Sequence, residues 1–252
     1  MLLTIGQGLG LNHAKINGGI SSPDEISDLG FWLDAQSYDK ITFVSTAGDG
    51  QPVDTVEGAQ DGAEYGVFSD SPTYRYNYVA SGLHGKPAFR QTHPRAVFRD
   101  EGAGTPAKYT DAVTYIFFCS GIFDGTQDTG YFGTLTHNSS GFEASSETNL
   151  RWINDGTLGV VNFTGTYDLN DMTMMAASIS SDAAGNLKIN DNAFQALDPN
   201  DGWNNNGSFR IGARSTVVEG CFNEIYGVLL YERALTEDEL NQIYAWGLAR
   251  YG

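Results

Sequence analysis

The chain has 252 residues with 31 acidic against 14 basic side chains, a formal charge of −17, and such a surface repels the phosphate backbone of nucleic acids. Its 31 glycines, 14 phenylalanines, 13 tyrosines and 40% apolar content suit one large all-β domain of many short strands and tight turns. No apolar run approaches membrane-spanning length, and Met1–Ile5 lacks the basic start of a signal peptide. Synthesis and folding in a cytoplasm are therefore expected, with no membrane partner. Cys119 and Cys221 fall in different predicted strands, and two buried thiols are expected rather than a bridge.

Taken in chain order, residues 1–28 form an amino-terminal arm in which glycines alternate with apolar side chains, among them Leu9, Leu11, Ile16 and Ile20. Such a segment either packs along its own domain or becomes ordered on a neighbouring subunit. Residues 29–252 then read as strands and turns. Phe31–Ala35 is the first strand, and Ser71–Tyr78 is an aromatic and polar stretch whose Tyr74, Tyr76 and Tyr78 would share one strand face. Strands follow at Gly82–Arg90, Ala112–Ser120 and Phe209–Gly212, and Leu187–Asp191 reads as a hairpin.

The run Cys221–Tyr231 has period two, placing Phe222, Glu224, Tyr226 and Val228 on one face and Asn223, Ile225, Gly227 and Leu229 on the other. Apolar residues on both faces predict a strand buried between two layers. Thr236 and Glu239 have the spacing of a capping box, and the helix they open carries Leu240, Ile243, Tyr244 and Leu248 on one stripe.

This ending, with its Tyr231-x-Arg233-Ala234-Leu235 hinge, resembles the carboxy-terminal end of the laminin-G-like, concanavalin-A-like jelly rolls. Phe31–Ala35, Gly82–Arg90, Ala112–Ser120, Leu187–Asp191 and Phe209–Gly212 resemble further strands of that superfamily, in the family order. The resemblance implies a concanavalin-A-like jelly-roll sandwich of two antiparallel sheets with a short carboxy-terminal helix. An acidic sandwich with an apolar arm and no export signal also resembles the accessory proteins of bacteriophage particles, which leave the cell by lysis.

Three chemistries are open to such a fold. Glucan-hydrolysing relatives carry Glu-x-Asp-x-Glu, which aims carboxylates into a cleft as nucleophile and acid/base. Glu143 and Glu147 keep the outer spacing here, but Ser145 replaces the central acid, and the stretch reads as a solvated loop or hairpin. The four histidines, His13, His84, His93 and His137, sit in separate segments, and no Gly-x-Ser-x-Gly elbow is present.

Calcium is possible at two oxygen-rich loops, through Asp168 and Asp171 or through Asp198 and Asp201. Glycans would find a stacking ring at Trp203 with amides at Asn204 and Asn206, or rings at Tyr74 and Tyr76. These readings lead to the expectation of a non-enzymatic decoration protein of a phage-like particle. Its arm would hold capsid or tail proteins, it would be multimeric in the assembly, and it could bind host-surface glycans. A polysaccharide hydrolase using Glu143 and Glu147, or a purely structural bracing module, is the alternative.

Overall fold

A computed structural model describes residues 19–59, 66–69, 73–93, 96, 98–100, 112–122, 130–131, 141–146, 149–154, 159–163, 165, 167–181, 184–197, 210–212 and 222–252. Among these, the strands are β1 (Leu29–Asp34), β2 (Ile41–Phe43), β3 (Val53–Glu57), β4 (Gly66–Ser69), β5 (Tyr76–Val79), β6 (Ala88–Gln91), β7 (Phe98–Asp100), β8 (Val113–Ile122) and β9 (Gly130–Tyr131). They continue with β10 (Gly141–Ser146), β11 (Asn149–Asn154), β12 (Gly159–Asn162), β13 (Thr173–Ser181), β14 (Ala184–Ile189), β15 (Gln195–Ala196), β16 (Arg210–Ile211) and β17 (Phe222–Tyr231). Helix α1 (Glu237–Tyr251) closes the chain.

All pairings among the described strands are antiparallel, and these strands form sheets of eight, five and four. The largest runs β15-β14-β13-β8-β17-β6-β5, with β1 also paired to β17. The five-stranded sheet runs β16-β7-β4-β3-β2, and the four-stranded one runs β12-β11-β10-β9. Side chains from all three meet in one core, where Phe89, Tyr115, Phe117 and Val228 of the large sheet join Val53, Phe98 and Ile211 of the second and Phe142 and Trp152 of the third. This is the antiparallel sandwich that the resemblance implied.

A second core lies on the other face of the large sheet. There Leu240, Ile243, Trp246 and Tyr251 of α1 cover Ile116, Phe118, Met174, Tyr226 and Leu229. Burial on both faces explains why β8 and β17 read as nearly continuous apolar runs.

The strict alternation read along β17 fails at a bulge between Ile225 and Gly227. Beyond it the faces exchange, so Val228 joins Ile225 in the sandwich core while Leu229 joins Tyr226 beneath the helix. The capping box is formed, with Thr236 Oγ1 accepting from Glu239 N at 3.3 Å and the Glu239 carboxylate accepting from Thr236 N at 2.9 Å. The helical stripe is turned from the expected one. Leu248 is exposed, and Trp246, Gly247 and Tyr251 are buried in its place. Gly247 sets that rotation, because a Cβ there would run into the Phe118 ring.

The hinge before the helix is fastened from below by two buried hydroxyl residues of the large sheet. Thr114 Oγ1 donates to Arg233 O at 2.8 Å and accepts from Leu235 N at 2.9 Å, while Ser178 Oγ donates to Leu235 O at 2.7 Å. Arg233 in turn pairs with Glu239 and with Asp28.

Residues 20–28 of the expected arm pack along the domain, the first of the two behaviours open to it. Ile26 is buried and Ile20 half-buried against the helix-side core, and Pro23 O accepts from Tyr231 Oη at 2.8 Å. Ile20 is thus occupied within its own sandwich, and Leu9, Leu11 and Ile16 lie outside the described residues. Cys119 is a buried thiol whose sulfur lies 4.0 Å from Thr173 O, and Cys221 lies outside the described residues.

Candidate functional site

Among the described residues, two carboxylates are fully buried, and each is saturated with donors. Glu224 on β17 accepts from Leu83 N at 2.6 Å, Tyr226 Oη at 2.7 Å and Arg90 Nε at 2.6 Å, and it pairs a second time with the Arg90 guanidinium. Gly82 lets the Leu83 amide approach, since a Cβ at that position would sit 2.5 Å from Glu224 Oε2. Burial pushes the Tyr226 phenol far above its ordinary range, so it remains a donor to Glu224.

Asp34 on β1 is held by Gln36 N at 3.0 Å, Ser37 Oγ at 2.9 Å, Tyr251 Oη at 3.2 Å and the Arg250 guanidinium. Arg250 also lies over the rings of Trp32, Trp246 and Tyr251, with centroid distances of 5.6, 5.9 and 5.9 Å. Both clusters fasten strand ends, turns and the helix together. Neither presents an uncommitted carboxylate.

An aromatic edge of different character lies where β5 meets the loop between β2 and β3. Gly50 N donates to Tyr78 O at 2.8 Å and Tyr78 N to Gln51 O at 2.9 Å, so the loop runs beside β5 as an added strand would. This places Phe43 of β2 and Tyr78 of β5 at a centroid separation of 6.0 Å, edge to face. Tyr38, in the 3-10 turn Tyr38–Lys40, closes over both, with centroids 5.2 Å from Tyr78 and 5.6 Å from Phe43. Tyr38 keeps 43% of its surface in solvent and Val44 beside Phe43 keeps 49%, whereas Tyr78 is 6% exposed.

One carboxylate lies at this edge: Asp49 Oδ1 accepts from Ala80 N at 2.8 Å, just beyond Tyr78. Asn77 Nδ2 donates to Gly50 O at 3.0 Å from the opposite face of β5, where it fastens the loop. The Tyr78 phenol is raised above its ordinary value by burial first, then by Tyr38 and by the Asp49 charge. An exposed ring on a packed base, with a hydrogen-bonding group at the same edge, is the arrangement that receives the apolar face of a polar ligand.

The residues singled out from sequence are distributed differently. Tyr76 is fully buried and stacked on Phe98 at 4.5 Å, so it is a core ring and is withdrawn from any binding surface. Tyr74 precedes β5 and is half-buried, stacked on His93 at 3.9 Å. Trp203, Asn204 and Asn206 lie outside the described residues.

Glu143 stands in β10, paired in register with Arg151 of β11, and Glu147 lies outside the described residues. Of the loop or hairpin expected for that stretch, a hairpin is found, β10 pairing antiparallel with β11. Asp168 caps its own turn, Oδ1 accepting from Asn170 N at 2.9 Å, and Asp171 follows in the same exposed loop; Asp198 and Asp201 lie outside the described residues. Among the described residues, no three His, Cys, Asp or Glu side chains gather as a metal site.

Sequence reasoning missed Tyr38 and Phe43. The only local signal was a pair of aromatics flanking a short acidic and basic turn, and it is the pairing with Tyr78 that gives them meaning.

No protein-family model and no curated protein matches the chain. Solved structures do. A Trypanosoma rangeli sialidase in complex with 2,3-difluorosialic acid superposes with a TM-score of 0.55 at 13% identity, over 87% of this chain and 33% of the sialidase. An arabinofuranosidase complexed with arabinofuranosyl-alpha-1,2-xylobiose gives 0.58 at 11% identity, over 89% and 60% of the respective chains. The binding domain of Botulinum Neurotoxin DC in complex with SialylT gives 0.57 at 8% identity, over 87% and 51%. The chain thus spans between 33% and 60% of the length of these structures. At such identities the likeness establishes the antiparallel β-sandwich fold.

Proposed function

We propose that this chain is a non-catalytic carbohydrate-binding sandwich. The observation that carries the reading is Tyr38, a 43%-exposed ring seated on Phe43 and Tyr78, with the Asp49 carboxylate at the same edge. It is supported by the fold shared with proteins bound to SialylT and to arabinofuranosyl-alpha-1,2-xylobiose. The absence of catalysis is part of the proposal: Glu224 and Asp34 are engaged by arginine, tyrosine and backbone donors, which suits them to locking the fold.

A screen of the purified protein on a glycan array, with calcium and again with EDTA, tests the reading. Specific retention of one glycan class is expected. A folded protein that retains none overturns it, and loss of retention with EDTA adds a calcium requirement. Trp203→Ala in the same screen tests the contribution of the Trp203 loop.

The finer reading places the module on a phage-like particle as a decoration protein, held to capsid or tail by its amino-terminal arm. It rests on the net charge of −17 and the glycine-rich apolar arm. Weak single sites would then gain strength from many copies on one particle. Removing residues 1–18 is expected to abolish incorporation into particles while leaving glycan retention intact. Unchanged incorporation removes the anchoring role.

A further inference from the structure

The Tyr38 edge carries information about the charge of what it can receive. The stacking surface is uncharged and backed by two further rings, which suits the C–H face of a pyranose. The charged group at this edge is an acceptor. Asp49 has one oxygen committed to Ala80 N, which leaves the other to accept from a sugar hydroxyl.

The nearby charges point the same way. Asp39 follows Tyr38 directly, Asp49 borders the rings, and Glu57 ends β3, with Lys40 on the same turn as Tyr38. Arg75, the cation just before β5, is paired with Asp54. An anionic sugar docked on Tyr38 would therefore face Asp39, Asp49 and Glu57 against the ammonium of Lys40, on a chain already at −17.

We infer that the Tyr38–Phe43–Tyr78 edge is a subsite for neutral pyranose glycans, and that Asp49 excludes acidic sugars such as sialic acids. The inference rests on the glycan-binding reading and narrows it to one place and one ligand class. It sets this edge apart from the two structural neighbours in complex with SialylT and with 2,3-difluorosialic acid.

Matched pairs of neutral and sialylated oligosaccharides, with lactose and sialylated lactose as the first pair, test it by array and by calorimetry on the whole chain. The neutral member is expected to bind about tenfold or more tightly, as like charges at an interface disfavour the other. The ratio should shrink as salt is raised, because screening acts on partly exposed charges. Tyr38→Ala should lower neutral-glycan affinity about tenfold, the loss of one stacked ring, with Tyr38→Phe retaining most of it and circular dichroism showing both folded. Asp49→Asn should bring the sialylated form closer to the neutral one.

Equal or tighter binding of the sialylated member overturns the inference, as does unchanged affinity in Tyr38→Ala. The first result removes the charge selection and the second places the site elsewhere; glycan binding itself stands in either case. Failure to retain any glycan overturns both the inference and the function it rests on.

Discussion

Glu224→Gln is the substitution that best tests whether the buried carboxylate is a structural lock. The change is isosteric but removes the charge and places an amide N–H₂ where donors from Leu83, Tyr226 and Arg90 converge. Breaking one partner of a buried pair costs about 3–5 kcal/mol. Arg90 retains 36% side-chain exposure, so water rehydrates its stranded charge and the figure falls to about 2–3 kcal/mol. The remaining cost comes from Leu83 N and Tyr226 Oη, whose bonds to a charged acceptor contribute about 1.5–3 kcal/mol each against about 0.5–1.5 kcal/mol for neutral ones. In a domain of this size the loss corresponds to a melting point lower by about 4–12 °C. Thermal and urea unfolding should show a lower midpoint with an unchanged urea m-value. In a double-mutant cycle with Arg90→Met, the two changes should be coupled by more than about 1 kcal/mol. A Glu224→Gln variant within about 0.5 kcal/mol of the parent, or strict additivity with Arg90→Met, would refute the lock.

Gly247→Ala should destabilise by about 1–3 kcal/mol through overpacking against Phe118, read as a lower unfolding midpoint; a neutral result would mean that the helix sits further from the sheet. Hydrogen bonding from Arg233 lowers Glu239 from the ordinary carboxylate value of 4.5 to about 2. Its stabilising contribution is fully present above pH 4.5 and is lost as pH falls towards about 2. With 25% of the side chain exposed, that contribution is about 1 kcal/mol, and Glu239→Gln should flatten this part of the acid slope. A chain beginning at residue 29 should be less stable than one beginning at residue 19 by about 3–5 kcal/mol, from the burial of Ile26 and the Tyr231 hydroxyl left without Pro23 O. Equal stability would return residues 19–28 to the arm.

Much of this architecture is legible in local pattern. The Thr236–Glu239 box, the continuous apolar runs of β8 and β17, and the Asn190-Asp191 turn each follow from short-range chemistry; Asn190 adopts φ 51°, a conformation that asparagine tolerates. What escaped depends on partners far along the chain. The bulge at Ile225 is invisible in a strand whose two faces are both apolar, because no polar residue marks the exchange. Leu248 fits the helical stripe by spacing, yet the contact of Gly247 with Phe118 turns the helix so that Trp246 and Tyr251 face inward. Tyr76 and Tyr74 read as equivalent in sequence, but the strand begins between them, which buries one in the core and leaves the other against His93.

The two-core arrangement also restricts where a ligand can be received. On the outer face of the large sheet, α1 and residues 20–26 cover Ile116, Phe118, Met174 and Leu229, and the Asp34 and Glu224 clusters clamp strand ends and turns around that cover. Opening that face would require breaking Arg250–Asp34 and withdrawing Trp246 from Trp32, which it meets edge-on at 5.6 Å. Among the described residues, none covers the β5 edge in this way, and its rings are already packed edge to face. A ligand there meets a preformed surface without reordering side chains, so weak contacts suffice to hold it. Substitutions at Glu224 or Gly247 should therefore change stability while leaving glycan retention by the folded fraction intact, and Tyr38→Ala should do the reverse. A Glu224→Gln protein that is folded yet loses retention would show that the lock and the edge are coupled, contrary to this separation.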